Sequence, residues 1–240
     1  MSRTAWIRVV WSVGLLALPA GVVAGGGQRG PANPFISDFR VEKSDLTATG
    51  RNTYFILEPG YELVLEGGGE HVTVTVLNET KVVDGVETRV SEERETRAGR
   101  LVELTRNYFA ISKQTSDVFY FGEAVDNYDR SGKVVNHAGT WLSGVKGARF
   151  GLYMPAQPQA KARFYQEYLP GVAMDRTEVL STAETVTTPA GTFTGCLKIK
   201  ETTPVEPGNV VYKVFAPGVG LVISDQLKLV KYGRAKPTAH

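Results

Sequence analysis

The sequence predicts an all-β protein. Its chain reads as about eleven antiparallel strands in a meander, closed into a barrel-like or strongly curled sheet. Three observations carry this. From Tyr54 to Lys231 the dominant hydrophobic period is two, the spacing of a half-buried strand. The gaps between apolar runs are short and hold turn pairs such as Asp84-Gly85, Ala98-Gly99 and Ser131-Gly132. Such gaps suit hairpins, whereas parallel crossovers need about a dozen residues or more. No long capped stretch of period 3.6 occurs, and residues 36–48 are the best place for a short helix.

The strands follow in order. Val72, Val74 and Val76 alternate with Thr73 and Thr75. Val86 to Thr96 and Leu101 to Ser112 continue across the two following turns, and Asp117 to Tyr128 carries the β-prone run Val-Phe-Tyr-Phe. Lys133 to Leu142 completes the first half. The segment 143–159 contains Gly144, Gly147, Gly151, Pro155 and Pro158 and reads as a long loop between two halves of the sheet. Strands resume at 162–169, 174–187, 192–203, 210–216 and 221–229, with Pro189-Ala-Gly191 and Pro217-Gly218 as turns. So many strands in one sheet favour closure, because closure hides the edges.

The flanks differ in composition. Arg3 and Arg8 precede an apolar run from Val9 to Ala24, broken by Pro19 and ending in small residues. This reads as a secretory signal cleaved near Ala24, too short and interrupted for a membrane span. The expected location is therefore exported, periplasmic or extracellular, with no transmembrane segment in the mature chain. No Cys follows the run, so a lipid anchor is not expected there. Residues 25–51 read as a flexible leader with a possible short helix, 52–231 as one β domain, and 232–240 as a disordered tail.

Composition sets further bounds. The chain has 240 residues, 42% hydrophobic and 22% charged, ordinary values for a folded protein. Signal cleavage removes two basic residues and no acidic one, leaving basic residues balanced against the 25 acidic ones. That balance gives no support to a nucleic-acid partner. The single Cys196 allows no intramolecular disulfide and reads as a buried, inert thiol.

Sequence motifs for chemistry are sparse. His71, His137 and His240 lack neighbouring His or Cys ligands, so no metal site is expected. No serine-nucleophile, phosphate-loop or dinucleotide pattern is present, and no cofactor is expected. Asp126 and Asp129 sit in a turn without the further ligands a calcium loop needs.

One pattern stands out: several strands place a charge on an apolar face. Glu201 follows Phe193, Leu197 and Ile199; Glu123 follows Phe119 and Phe121; Lys213 lies between Val211 and Phe215; His137 lies between Val135 and Trp141. Inward charges must be paired or line a wet cavity. Two arrangements satisfy this. Glu201 pairs with Lys213 across a hairpin, or these positions sit at strand ends. Alternatively, Glu123, His137, Trp141, Tyr165, Glu201 and Lys213 line a ligand pocket inside the barrel.

The runs Val118–Glu123, Gly139–Val145, Met154–Ala156, Tyr165–Tyr168 and Phe215–Leu221 resemble an uncharacterised family of exported bacterial β-rich proteins. The resemblance spans roughly residues 52–224. It implies a secreted antiparallel β-protein and brings no activity, cofactor or catalytic residue. Three functions remain open. The first is a non-enzymatic binding protein for an apolar or amphipathic small molecule. The second is an interaction or structural module of the cell envelope. The third is a hydrolase with scattered carboxylates, such as Glu123 and Glu167.

Overall fold

Turn chemistry sets the first hairpins. The computed structural model describes residues 34–234. Within it β4 (Tyr61–Gly67), β5 (Glu70–Val83), β6 (Val86–Arg97), β7 (Arg100–Ser112) and β8 (Val118–Tyr128) form a continuous antiparallel meander. The turn between β5 and β6 is Asp84-Gly85, with φ of 51° and 76°. Two successive positive φ values match the twist of the strands they join. Short pieces β1 (Leu46–Thr47), β2 (Gly50–Arg51) and β3 (Ile56–Leu57) precede the meander. β1 pairs with the end of β7, Leu46 opposite Ser112.

After β8 the chain lays three short strands along its free edge. These are β9 (Val134–Asn136), β10 (Trp141–Leu142) and β11 (Arg149–Met154). β12 (Arg163–Tyr165) and β13 (Glu167–Tyr168) follow, then a second meander of β14 (Arg176–Thr188), β15 (Gly191–Thr202), β16 (Val210–Ala216), β17 (Gly220–Ser224) and β18 (Leu227–Arg234). β18 returns to pair with β4, Leu229 opposite Leu65. The result is a large antiparallel sheet, nearly closed and barrel-shaped.

Near-closure depends on residues 163–168. β12 pairs with β14 at one end of the sheet, and β13 pairs with β11 at the other. Only Gln166 separates the two strands. Ile36 reinforces this seam: its N–H donates to the Arg163 carbonyl at 2.9 Å, and its carbonyl accepts from Tyr165 N–H at 2.8 Å. Gly151 lies where β11 meets residues 165–166. A Cβ there would stand 2.4 Å from the Tyr165 carbonyl oxygen, so the close approach requires glycine.

Two apolar clusters result. The larger joins Leu65, Val72, Phe109, Tyr120, Leu197, Phe215 and Leu229. The smaller joins Val90, Tyr108, Phe119 and Phe121, with Phe39 and Phe150 packed against it. Alternate residues of β7 and β8 supply the two clusters, as period two requires.

The structure departs from the sequence expectations in several places. No helix forms over 36–48 beyond a single 3-10 turn at Lys43–Asp45. Tertiary pairing wins there: Lys113 N–H donates to the Asp45 carbonyl at 3.0 Å, and Ser112 Oγ donates to Asp45 Oδ2 at 2.5 Å. β11 lies within the Gly/Pro-rich segment, where a continuous loop was expected, because Phe150 stacks on Phe121 at 4.7 Å. The strand count exceeds eleven because edge strands are broken into short pieces. β18 extends to Arg234, with Tyr232 edge-on to Phe193 at 6.0 Å. The expected signal, the leader up to residue 33 and residues 235–240 lie outside the described residues.

Candidate functional site

A bulge decides which side chains of β8 turn inward. Tyr108 lies opposite Gly122 and Phe109 opposite Tyr120, so the register shifts at Phe121. The extra residue breaks strict alternation. Phe119 and Phe121 face the smaller cluster, yet both Tyr120 and Glu123 face the larger interior. The sequence pattern, which put Phe121 and Glu123 on one face, misses this bulge. Glu123 then lies in a cross-strand row with Ser91, Asn107 and Trp141.

Glu123 and Glu167 are each 1% exposed. Glu167 accepts a 3.3 Å hydrogen bond from the Asp175 N–H, and the Trp141 indole N–H faces its carboxyl without closing a full hydrogen bond. One oxygen of each carboxyl, Oε2, has no hydrogen-bond partner. Burial raises both carboxyls well above the usual range. Glu103, Asp175 and Glu93 add to the effect on Glu123, against a hydrogen bond from Tyr120; Asp175 and Glu123 add to it on Glu167. The shift favours the neutral acid in both, which lowers the cost of placing two carboxyls in one low-dielectric interior.

A second polar group lies across the seam. Lys213 Nζ is 2.5 Å from Glu201 Oε2, with side chains 4% and 7% exposed. Gln166 Nε2 donates to Glu201 Oε1 at 2.6 Å and to Thr177 Oγ1 at 2.7 Å. Burial alone would lower the Lys213 ammonium, but the Glu201 carboxylate and the Tyr153 hydroxyl outweigh it and hold its pKa above the usual value. Asp175, pushed up to about 6 by burial and then by Glu201, links the two groups electrostatically.

A cavity of about 60 Å³ opens beside them. Its walls come from β4 through β7, from Tyr153 of β11, from β16, β17 and the turn between them, and from Phe55 and Ile56. Leu63, Val74, Phe109, Tyr153 and Leu221 make it apolar; Ser91, Glu93 and Asn107 supply its polar groups. Phe55, Phe109 and Tyr153 pack against one another with ring centroids 4.8 to 5.3 Å apart. Glu93 enters because the β5–β6 register puts it opposite Val74. Burial, then the neighbouring Glu103, raise its carboxyl to about 7.

A larger, more open cleft of about 250 Å³ lies near Asp38, Asp84, Ser143 and Arg149. Two of its polar groups, Asp84 and Ser143, already serve one another. Ser143 Oγ donates to Asp84 Oδ2 at 2.9 Å, and Lys43 Nζ holds Asp84 Oδ1 at 2.7 Å. The barrel cavity is the better candidate site.

The structure divides the six residues expected at a site. Glu123 and Trp141 are buried together, Glu201 and Lys213 pair nearby, and none of these four borders the cavity. His137 points outward, its side chain 67% exposed and its Nδ1 2.8 Å from Asp126 Oδ1. The expected inward position fails because His137 follows the exposed edge strand β9 and enters the turn toward β10. Tyr165 is half-buried and packs on Phe35 and Tyr168, apart from the cavity. Sequence reasoning missed Glu93, which sits in the charged run Glu92-Glu93-Arg94-Glu95 and reads as solvated. Counting back across the Asp84-Gly85 turn puts Glu93 opposite Val76, and the register shift between Val76 and Thr80 moves it to Val74; either count sets it beside an inward valine and is the signal that would have found it. Among the described residues no cluster of His, Cys, Asp and Glu could hold a metal ion.

No family model matches this chain, and no curated protein matches it. A solved structure of a candidate lipoprotein from Parabacteroides distasonis is similar to it at 14% identity and a TM-score of 0.39. That match covers 77% of this chain and 100% of the other. The likeness is too slight to bring a fold or a function to this chain. Among the described residues no helix is long and apolar enough to cross a membrane.

Proposed function

We propose that this chain is an exported, non-enzymatic binding protein whose barrel cavity takes the apolar end of a small amphipathic molecule. The carrying observation is the cavity itself, apolar on its walls and polar at Ser91, Glu93 and Asn107. A few fixed polar groups in an apolar concavity are the usual anatomy of a ligand site. Size narrows the reading. The cavity measures about 60 Å³, whereas an apolar cavity of about 150 Å³ takes up benzene and whole drug-sized ligands occupy several hundred. It therefore suits a few non-hydrogen atoms carrying one polar group, with any longer remainder at the mouth, and is too small to enclose a lipid.

Methyl-resolved NMR titration with 1-butanol tests this. The methyl signals of Leu63, Val74, Val76 and Leu221 are expected to shift together and saturate. Val74→Phe, which fills the cavity, is expected to abolish the shifts while the rest of the spectrum persists. Absence of saturable shifts in the wild type, or shifts scattered over the surface, overturns the reading.

A further inference from the structure

The cavity's polar groups carry a charge preference. Glu93 is flanked by Glu95 on its own strand, Glu103 on β7 and Glu201 on β15, with Lys213 on β16 the facing cation. Lys213 is held by Glu201 at 2.5 Å. Arg97, near the end of β6, is held by Glu70 at 2.8 Å and by Glu95 at 2.9 Å. Lys213 and Arg97 are thus engaged by other carboxylates, and three of the four charged groups that act on Glu93 are acidic, which favours a positive ligand.

The walls point the same way. Phe55, Phe109 and Tyr153 border the cavity as a mutually packed aromatic group. Aromatic faces attract ammonium groups most strongly where water is excluded. An anionic ligand would meet repulsion there, and a neutral one would gain at most a hydrogen bond without the charge that strengthens it.

Building on the binding reading above, we propose that the ligand is cationic: a small alkyl- or arylammonium whose nitrogen pairs with Glu93 while its carbon chain lies between the aromatic group and Leu63, Val74 and Leu221. The Lys213 ammonium, held on Glu201, acts on Glu93 only across a distance and leaves its carboxyl without a cation in direct contact.

The test compares n-butylammonium with 1-butanol, which differ only at the polar end, in low-salt buffer at pH 8. The ammonium is expected to bind at least tenfold more tightly, and Glu93→Gln is expected to remove that difference while leaving butanol affinity within about twofold. Equal affinity of the two probes in the wild type, or an ammonium preference that survives Glu93→Gln, overturns the proposal and leaves the cavity reading standing. Failure of both probes to bind removes the cavity reading itself, and this proposal with it.

Discussion

Lys213 and Glu201 form an ion pair inside the barrel, 2.5 Å from nitrogen to oxygen and all but sealed from solvent. Gln166 takes the second Glu201 oxygen, so the pair is bound at both ends of the carboxylate. Removing one partner strands a buried charge. Lys213→Met is expected to destabilise the fold by about 3–5 kcal/mol. The double variant Lys213→Met/Glu201→Leu is expected to recover most of that loss, since an apolar pair of similar volume is often neutral. Urea unfolding of the three proteins measures this, and a double variant as unstable as the single one contradicts it.

The interior acids give stability an unusual pH dependence. Glu93 sits at about 7 and Asp175 at about 6, while Glu123 and Glu167 lie well above their usual range. Unfolded Glu and Asp titrate near ~4. The folded state therefore binds more protons than the unfolded state between these values, and stability falls as pH rises. Full stabilisation is present below about pH 4 and is lost progressively as pH passes through each folded value. Unfolding free energy is expected to decline from pH 5 to pH 8, and Glu167→Gln is expected to flatten the decline. Stability that climbs over this window contradicts the assignment.

The seam makes a steric prediction. A methyl group on Gly151 would meet Tyr165 and Gln166 backbone atoms at 2.4 to 2.5 Å. Backbone cannot rotate away as a side chain can, so Gly151→Ala is expected to cost at least ~2 kcal/mol. Its amide hydrogen exchange is expected to quicken across residues 163–168 first. Normal exchange there, with normal stability, would show that β11 and β13 do not approach as described.

Gln166 tests the same seam by hydrogen bonding. It donates to both Thr177 and Glu201 from a 5% exposed position. Gln166→Leu leaves both acceptors short of a donor and is expected to cost roughly 2–3 kcal/mol, because buried unsatisfied groups pay their full desolvation. Thermal unfolding measures it.

The long strands were legible because each runs far enough for period two to show, as in Val72-Thr-Val-Thr-Val76, and because Asp84-Gly85 has one natural conformation. The Glu201–Lys213 pair was legible too, as two inward charges on neighbouring strands. The bulge at Phe121 was not, since it depends on how β7 and β10 flank β8. Nor was the seam, which joins residues 36, 151 and 166 by long-range contacts that leave no local pattern. Glu93 was hidden by its neighbours: four consecutive charged residues look solvated until the register puts one of them opposite Val74.

The claim that the cavity and Glu93 form a cation-binding site is tested most directly by a crystal structure with n-butylammonium bound. The account predicts the nitrogen within hydrogen-bond distance, about 2.7–3.0 Å, of a Glu93 carboxylate oxygen, and the butyl chain among Phe109, Tyr153 and Leu221. A butylammonium found only on the outer surface, or in the cavity with its nitrogen turned away from Glu93, contradicts it.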